Sequence, residues 1–321
     1  MKKLLSLAMA LVMGLSMGAP VLAVNAAEEA PKDWTEIKVE KKIDLTNTGT
    51  VNPAETFNFT VGTGTVDGTG VSGVTAPKIN DFSISFDEEG QVASSTDLQL
   101  PTFKHVGVYT YEISETAGNT AGMRYNEKAY KLQVTVFNDG VGGFKRVVTL
   151  VTGENDVKTD TILNTFKAGE LVVTKEITGN FSQSDDTFEV TVTLTPVEGK
   201  NLKEGPITVT GAVKQTGSVV KNDDGTVTVT FTVTHNSTVT IANVPYDVSY
   251  KVTEDAGDYT ATITTEDNGK IDNASQEVKI VNKLDTRIET GVNLDNLPYI
   301  LVLALVGVGL ISFTVRKRVR N

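Results

Sequence analysis

The chain has no cysteine in its 321 residues. Disulfides, thiolate metal sites and thiol nucleophiles are therefore excluded, and any covalent reinforcement must use other side chains. Histidine occurs only as His105 and His235, with no H-E-x-x-H helix and no closely spaced ligand set. Acidic loops of calcium spacing, a G-x-S-x-G elbow and a phosphate-cradling glycine loop are also missing. No metal and no cofactor is expected. Basic residues are outnumbered: 29 Lys and Arg face 40 Asp and Glu, a formal net charge of −11. With aromatics at 7% and no basic patch that interleaves them, a nucleic-acid partner is not expected either. Neighbouring carboxylates such as Asp185-Asp186 and Asp223-Asp224 lie in turn-like, solvated segments rather than in a hydrolase cleft.

The two ends carry addresses. Lys2-Lys3 precede an apolar run from Leu4 to Leu15 and then small residues, the pattern of a secretory signal peptide. Cleavage fits after Ala26 or after Ala23, and 1–26 is taken as the leader. At the other end Arg287-Ile288-Glu289-Thr290-Gly291 is followed by an uncharged apolar run over 297–315 and by the basic tail Arg316-Lys317-Arg318-Val319-Arg320-Asn321. At 1.5 Å per residue the apolar run makes roughly 28 Å of helix, enough to cross a bilayer core. The basic tail stays cytoplasmic. Thr290 and Gly291 are then held just outside the membrane. A Thr-Gly pair, a membrane span and a basic tail in this order read as a cell-wall sorting signal, cut between Thr290 and Gly291 by a sortase. A plain single-span anchor is the alternative. The protein is expected to be exported and held at the cell surface.

The body between these ends reads as all-β. Thr and Val dominate, and Gly, Asn and Asp punctuate short alternating runs. Expected strands cover 36–45, 56–61, 107–115, 130–137, 144–151 and 161–166. A second set covers 170–177, 187–194, 226–234, 239–242, 248–254, 259–265 and 277–282. No segment reads as an amphipathic helix, and strands at this spacing suggest β-sandwiches. The halves repeat one plan. Val39-Glu40-Lys41-Lys42-Ile43 and Thr56-Phe57-Asn58-Phe59 return as Val173-Thr174-Lys175-Glu176-Ile177 and Thr187-Phe188-Glu189-Val190. Tyr111-Glu112-Ile113-Ser114-Glu115 returns as Tyr250-Lys251-Val252-Thr253-Glu254. Each half closes on an Asn in an apolar strand, Ile162-Leu163-Asn164 and Ile280-Val281-Asn282. Two domains, 33–167 and 168–286, are expected. Residues 167–169 would form a short linker in a stiff rod.

Six polar residues fall in phase with the apolar face. Because side chains alternate along a strand, Lys41 joins Ile37, Val39, Ile43 and Leu45. Lys175 joins Leu171, Val173 and Ile177. Glu115 follows Tyr109, Tyr111 and Ile113; Glu254 follows Val248, Tyr250 and Val252. Asn164 lies between Ile162 and Phe166, and Asn282 between Ile280 and Leu284. Burial lowers a Lys pKa and raises a Glu pKa. A neutral amine is a nucleophile, and a protonated Glu beside an Asn amide donates to its oxygen and polarises the carbon. Attack of Lys on Asn with loss of ammonia gives an amide between side chains. A buried Lys–Glu ion pair with an Asn hydrogen bond is the other reading.

These Lys, Glu and Asn sets, the Y-x-[IV]-x-E strands and the sorting tail together resemble the Gram-positive major (backbone) pilins, most closely the two-domain streptococcal kind. The resemblance implies two Ig-like (CnaB-type) sandwiches. It also implies autocatalytic bonds Lys41–Asn164, assisted by Glu115, and Lys175–Asn282, assisted by Glu254. The chain would be a structural protein, not an enzyme: a substrate that a pilus-specific sortase joins through Thr290 to a Lys of the next copy. Minor tip and base pilins and peptidoglycan are implied partners, with membrane contact only before cleavage. Here the usual L-P-x-T-G reads Arg287-Ile288-Glu289-Thr290-Gly291, which points to a dedicated sortase. The acceptor is implied just before the Asn strand, where Lys158 is nearest; Lys145 and Lys167 are the other candidates. A wall-anchored adhesin using the same domains as a stalk is the alternative function.

Overall fold

The computed structural model describes residues 32–213, 219–263 and 268–285, together with residues 302, 303, 305 and 306, which are helical. The leader, Thr290, Gly291 and most of the apolar run lie outside the described residues. Among the described residues no helix is long and apolar enough to cross a membrane.

Residues 32–285 form no helix among those described. The N-terminal half contributes β1 (Glu36–Leu45), β2 (Glu55–Val61), β3 (Thr65–Asp67), β4 (Phe82–Phe86), β5 (Ala93–Gln99), β6 (Gly107–Thr116), β7 (Met123–Arg124), β8 (Tyr130–Asn138), β9 (Phe144–Thr152), β10 (Lys158–Thr159) and β11 (Thr161–Phe166). The C-terminal half contributes β12 (Ala168–Thr178), β13 (Phe188–Thr195), β14 (Thr208–Thr210), β15 (Val220–Lys221), β16 (Val227–Val233), β17 (Thr238–Pro245), β18 (Ser249–Asp255), β19 (Thr260–Ile263), β20 (Asn268–Lys270) and β21 (Ser275–Lys283). The all-β expectation and the two-sandwich expectation both hold.

Each half is a pair of facing sheets. The first pairs a sheet ordered β5-β1-β11-β7 with one ordered β10-β9-β8-β6-β2-β4, to which β3 adds on β6. The second pairs β14-β17-β12-β21-β19 with β15-β16-β13-β18-β20. Alternation drives both. Strand β16 buries Val227, Val229, Phe231 and Val233 and leaves its threonines half-buried. Strand β6 buries Tyr109, Tyr111 and Ile113. Two separate apolar cores result, one around Phe57, Phe59, Phe86 and Leu132, the other around Leu194, Phe231, Ile241 and Ile280.

The first and last strands of each half lie side by side and run parallel, β1 with β11 and β12 with β21. Such a pair has no hairpin to hold it, because the whole half intervenes between its members. Only Lys167 separates β11 from β12. Its carbonyl accepts from Tyr246 N at 3.0 Å and its N–H donates to Gly122 O at 3.1 Å. Asn47 Nδ2 reaches Ala168 O at 2.6 Å and Tyr246 Oη at 3.1 Å, and Val51 N donates to Asn243 Oδ1 at 2.9 Å. At Gly122 (φ +77°) a Cβ would come within 2.7 Å of Lys167 O and Pro245 Cβ, so glycine is needed for this approach.

Candidate functional site

Parallel pairing sets the site in each half. Ile43 stands opposite Asn164 and Lys41 opposite Ile162. Ile177 stands opposite Asn282 and Lys175 opposite Ile280. In both halves the Lys therefore precedes by two residues the position facing the Asn. A two-residue step keeps the face, so Lys and Asn are near neighbours inside the sandwich. The Glu arrives from the facing sheet, near the end of β6 or of β18. Lys41, Asn164, Lys175 and Asn282 are at most 2% exposed. The Glu115 and Glu254 side chains are each 1% exposed.

In the first site Lys41 Nζ donates to Glu115 Oε2 at 2.8 Å, and Asn164 Nδ2 donates to Glu115 Oε1 at 2.6 Å. The amide oxygen, Asn164 Oδ1, accepts the backbone N–H of Asn126 at 2.8 Å. A backbone N–H can only donate, so it fixes which end of the amide is oxygen. The amide thus stands opposite to the sequence-based expectation, in which the carboxyl donates to the amide oxygen. The single carboxylate touches the Lys41 nitrogen with one oxygen and the Asn164 amide nitrogen with the other.

The second site holds the same groups with fewer bonds. Lys175 Nζ donates to Glu254 Oε1 at 2.6 Å. Glu254 Oε2 and both amide atoms of Asn282 are buried without a hydrogen-bond partner among the described residues. Each such atom costs about 1–3 kcal/mol. Three such atoms lie together in one core.

An aromatic wall completes both sites. Lys41 Nζ sits 5.1 Å from the Phe57 ring centre, and Lys175 Nζ 4.3 Å from that of Phe188. The rings come from β2 and β13, the second strand of each half. The repeated Thr-Phe pairs of the sequence mark these positions, although no catalytic pattern singles them out. Asn126 lies in a polar loop with no repeat, and nothing in the sequence points to it.

Burial pushes the Lys41 ammonium down to about 8, against the opposing pull of the Glu115 carboxylate. Burial lowers Lys175 in the same way, against Glu254. A Lys whose folded pKa is depressed binds fewer protons folded than unfolded, so stability rises with pH between the two values. Asn164→Ala keeps Lys41 free. Its first half is expected to gain about 2 kcal/mol between pH 8 and 10. Denaturant titrations at several pH values read this directly; a flat or falling profile there would contradict a buried, depressed Lys41.

The remaining candidates are scattered. Lys158 is exposed on the two-residue edge strand β10, opposite Val151 of β9. Lys145 is half-buried in β9, beside Arg146, whose guanidinium is held by Asp33 at 2.7 Å. Lys167 sits at the junction of the halves. Among the described residues no cluster of His, Cys, Asp and Glu could hold a metal ion. One further acid, the half-buried Glu55, accepts from Tyr125 Oη at 2.5 Å. Burial raises its pKa, with the Tyr125 hydrogen bond opposing.

Residues 37–167 match a family described as a Spy0128-like isopeptide containing domain. Residues 169–284 match a domain family of unknown function. A pilin of Streptococcus pyogenes serotype M1 is 25% identical over 92% of this chain and 94% of its own. Among solved structures, the T3.2 major pilin of Streptococcus pyogenes aligns at a TM-score of 0.55 with 23% identity, over 79% of this chain and 99% of its own. A second Streptococcus pyogenes major pilin aligns at 0.53 with 18% identity, over 78% and 99%. The chain is similar to the Gram-positive backbone pilins over nearly its whole length and shares their two-sandwich fold.

Proposed function

We propose that this chain is the repeating structural subunit of a covalent surface pilus, and that each half is closed by an isopeptide bond made by its own side chains. The first bond joins Lys41 to Asn164 with Glu115 as the assisting acid. The second joins Lys175 to Asn282 with Glu254. The neutral amine gives its lone pair to the Asn Cγ. One amine proton passes through the Glu to Nδ2, the Cγ–Nδ2 bond breaks, and ammonia leaves. Holding the groups together in a packed core supplies much of the acceleration.

The observation that carries this reading is the recurrence of a fully buried Lys–Glu–Asn set at one register in both halves. A buried ion pair alone is weak support for stability. It also leaves Asn282 unexplained, whereas amide formation discards its Nδ2 and strips the charge from Lys175. The isopeptide-domain match supports the first bond; only geometry supports the second, because residues 169–284 match a family without assigned function.

The intact mass of the exported chain is expected to fall two ammonias short of the sequence mass. Glu115→Ala and Glu254→Ala are each expected to restore one. A full, unmodified mass in the wild-type chain would overturn the crosslinks.

Assembly would use the ends. A pilus-specific sortase would cut between Thr290 and Gly291, hold the Thr290 carbonyl as a thioester and pass it to the Lys158 amine of another copy. Transfer to peptidoglycan would end growth, and minor pilins would occupy tip and base. The membrane would hold only the precursor.

A further inference from the structure

The two sites share three side chains but differ at the atom where charge develops. When the Lys nitrogen attacks, the Asn carbonyl oxygen becomes an oxyanion, and a preplaced donor there lowers the barrier. Asn164 Oδ1 already accepts the Asn126 backbone N–H at 2.8 Å, within the 2.7–3.1 Å range of working oxyanion donors. Asn282 Oδ1 has no donor among the described residues.

The Asn126 N–H is held in place by its own side chain. Asn126 Nδ2 donates to Tyr130 Oη at 2.8 Å and to Leu163 O at 3.1 Å, and Asn126 Oδ1 accepts Lys128 N at 2.9 Å. Leu163 directly precedes Asn164 on β11. Tyr130 pairs with Ile113, two residues before Glu115 on β6. The side chain thus ties the 125–130 loop to both strands that carry reacting groups. A loop of this kind would not otherwise hold one N–H on a buried amide.

We infer that the Asn126 backbone N–H is the oxyanion donor of the first site, that the Asn126 side chain is its positioning group, and that the first bond therefore closes well before the second. This rests on the isopeptide reading above. It adds a catalytic part that the Lys, Glu and Asn motif does not contain, and it makes the two halves kinetically unequal.

The test uses the chain collected in denaturant from inclusion bodies, before it has folded or crosslinked, then refolded and quenched in acid at intervals. Peptide mapping by mass counts ammonia lost at Asn164 and at Asn282 separately. Trp34, the only tryptophan, reports folding of the first half by its fluorescence. In the wild-type chain the Asn164 loss is expected about 10²-fold faster than the Asn282 loss. Asn126→Pro removes the N–H and is expected to slow the first loss about 10²-fold while leaving the second unchanged. Asn126→Ala keeps the N–H but frees the loop, and is expected to slow the first loss about 10-fold with an unchanged Trp34 signal. Equal rates at the two sites in the wild-type chain would overturn the inference. So would a wild-type rate at Asn164 in a natively folded Asn126→Pro chain. If that variant does not reach the native Trp34 signal, Asn126→Ala decides: an unslowed first loss overturns the positioning role. Absence of both losses in the wild-type chain would instead remove the isopeptide reading itself.

Discussion

Asn282→Ala is expected to lower the thermal midpoint of the C-terminal half by about 20 °C, the effect of withholding the proposed crosslink. The substitution is chosen because it leaves the Lys175–Glu254 pair intact, at 2.6 Å. Removing Lys175 or Glu254 instead would strand a buried charge and add about 3–5 kcal/mol of unrelated damage. The Asn282 side chain makes no hydrogen bond among the described residues, so its truncation breaks none. What the substitution would prevent is the proposed closure of a loop of more than 100 residues between Lys175 and Asn282. By the chain-entropy estimate used for disulfides, that closure is worth about 4–5 kcal/mol. For a half of this size one kcal/mol shifts the midpoint by about 4–5 °C. Scanning calorimetry of wild-type and Asn282→Ala chains measures the difference. A shift of a degree or two would mean that no bond is made there. The Asn164→Ala chain carries the same logic for the first half, at a cost raised by its lost hydrogen bonds to Glu115 and from Asn126.

Much of this site is legible in the sequence because its chemistry violates a strict pattern. Lys41 sits between Val39 and Ile43 on a face that should be apolar, and the structure buries it completely. The same alternation betrays Lys175, Asn164 and Asn282. Strands with a strong period-two signal, such as 36–45 and 130–137, fall close to where the pattern puts them. Strand β5 was not legible: Ala93-Ser94-Ser95-Thr96-Asp97-Leu98-Gln99 buries only Leu98, and its place is set by pairing with β1. The two- and three-residue strands β3, β7, β10, β14, β15 and β20 are too short to show a period at all. Asn126 escapes for a different reason. Its working group is a backbone N–H, which every residue but proline carries, so only the fold tells which one meets Asn164. The orientation of the Asn164 amide is likewise a property of that contact.

A polymer of this chain is expected to extend under load only by straightening, and Thr290→Ala or Lys158→Arg is expected to abolish the polymer altogether. Thr290 is the carbonyl that a sortase would capture. Arginine at 158 keeps the charge but removes the nucleophile. Lys158 is favoured because it is exposed, makes no ion pair among the described residues, and stands on an edge strand beside the exposed Val157. Cell-wall extracts on a denaturing gel read the outcome: a high-mass ladder from the wild-type chain, one discrete band from either variant. A discrete band from the wild-type chain would favour the anchored stalk instead, and a ladder surviving Lys158→Arg would move the acceptor to Lys145 or Lys167. The load path follows from the same links. If the link is made at Lys158, force entering there would run along β11, through Lys167, into β12. Because β12 and β21 are parallel and adjacent, pulling at Ala168 and at Thr290 shears them past each other. A bond from Lys175 to Asn282 would carry that force straight across and leave residues 176–281 unloaded. In the first half a bond from Lys41 to Asn164 would staple β11 to β1 and stop it peeling away. Force spectroscopy on single fibres therefore separates the cases. Wild-type subunits should show no unfolding step from the C-terminal half. Asn282→Ala subunits should each release roughly 350 Å of chain, about 105 residues at some 3.4 Å each. Equal release from both would mean that the load is borne by hydrogen bonds alone.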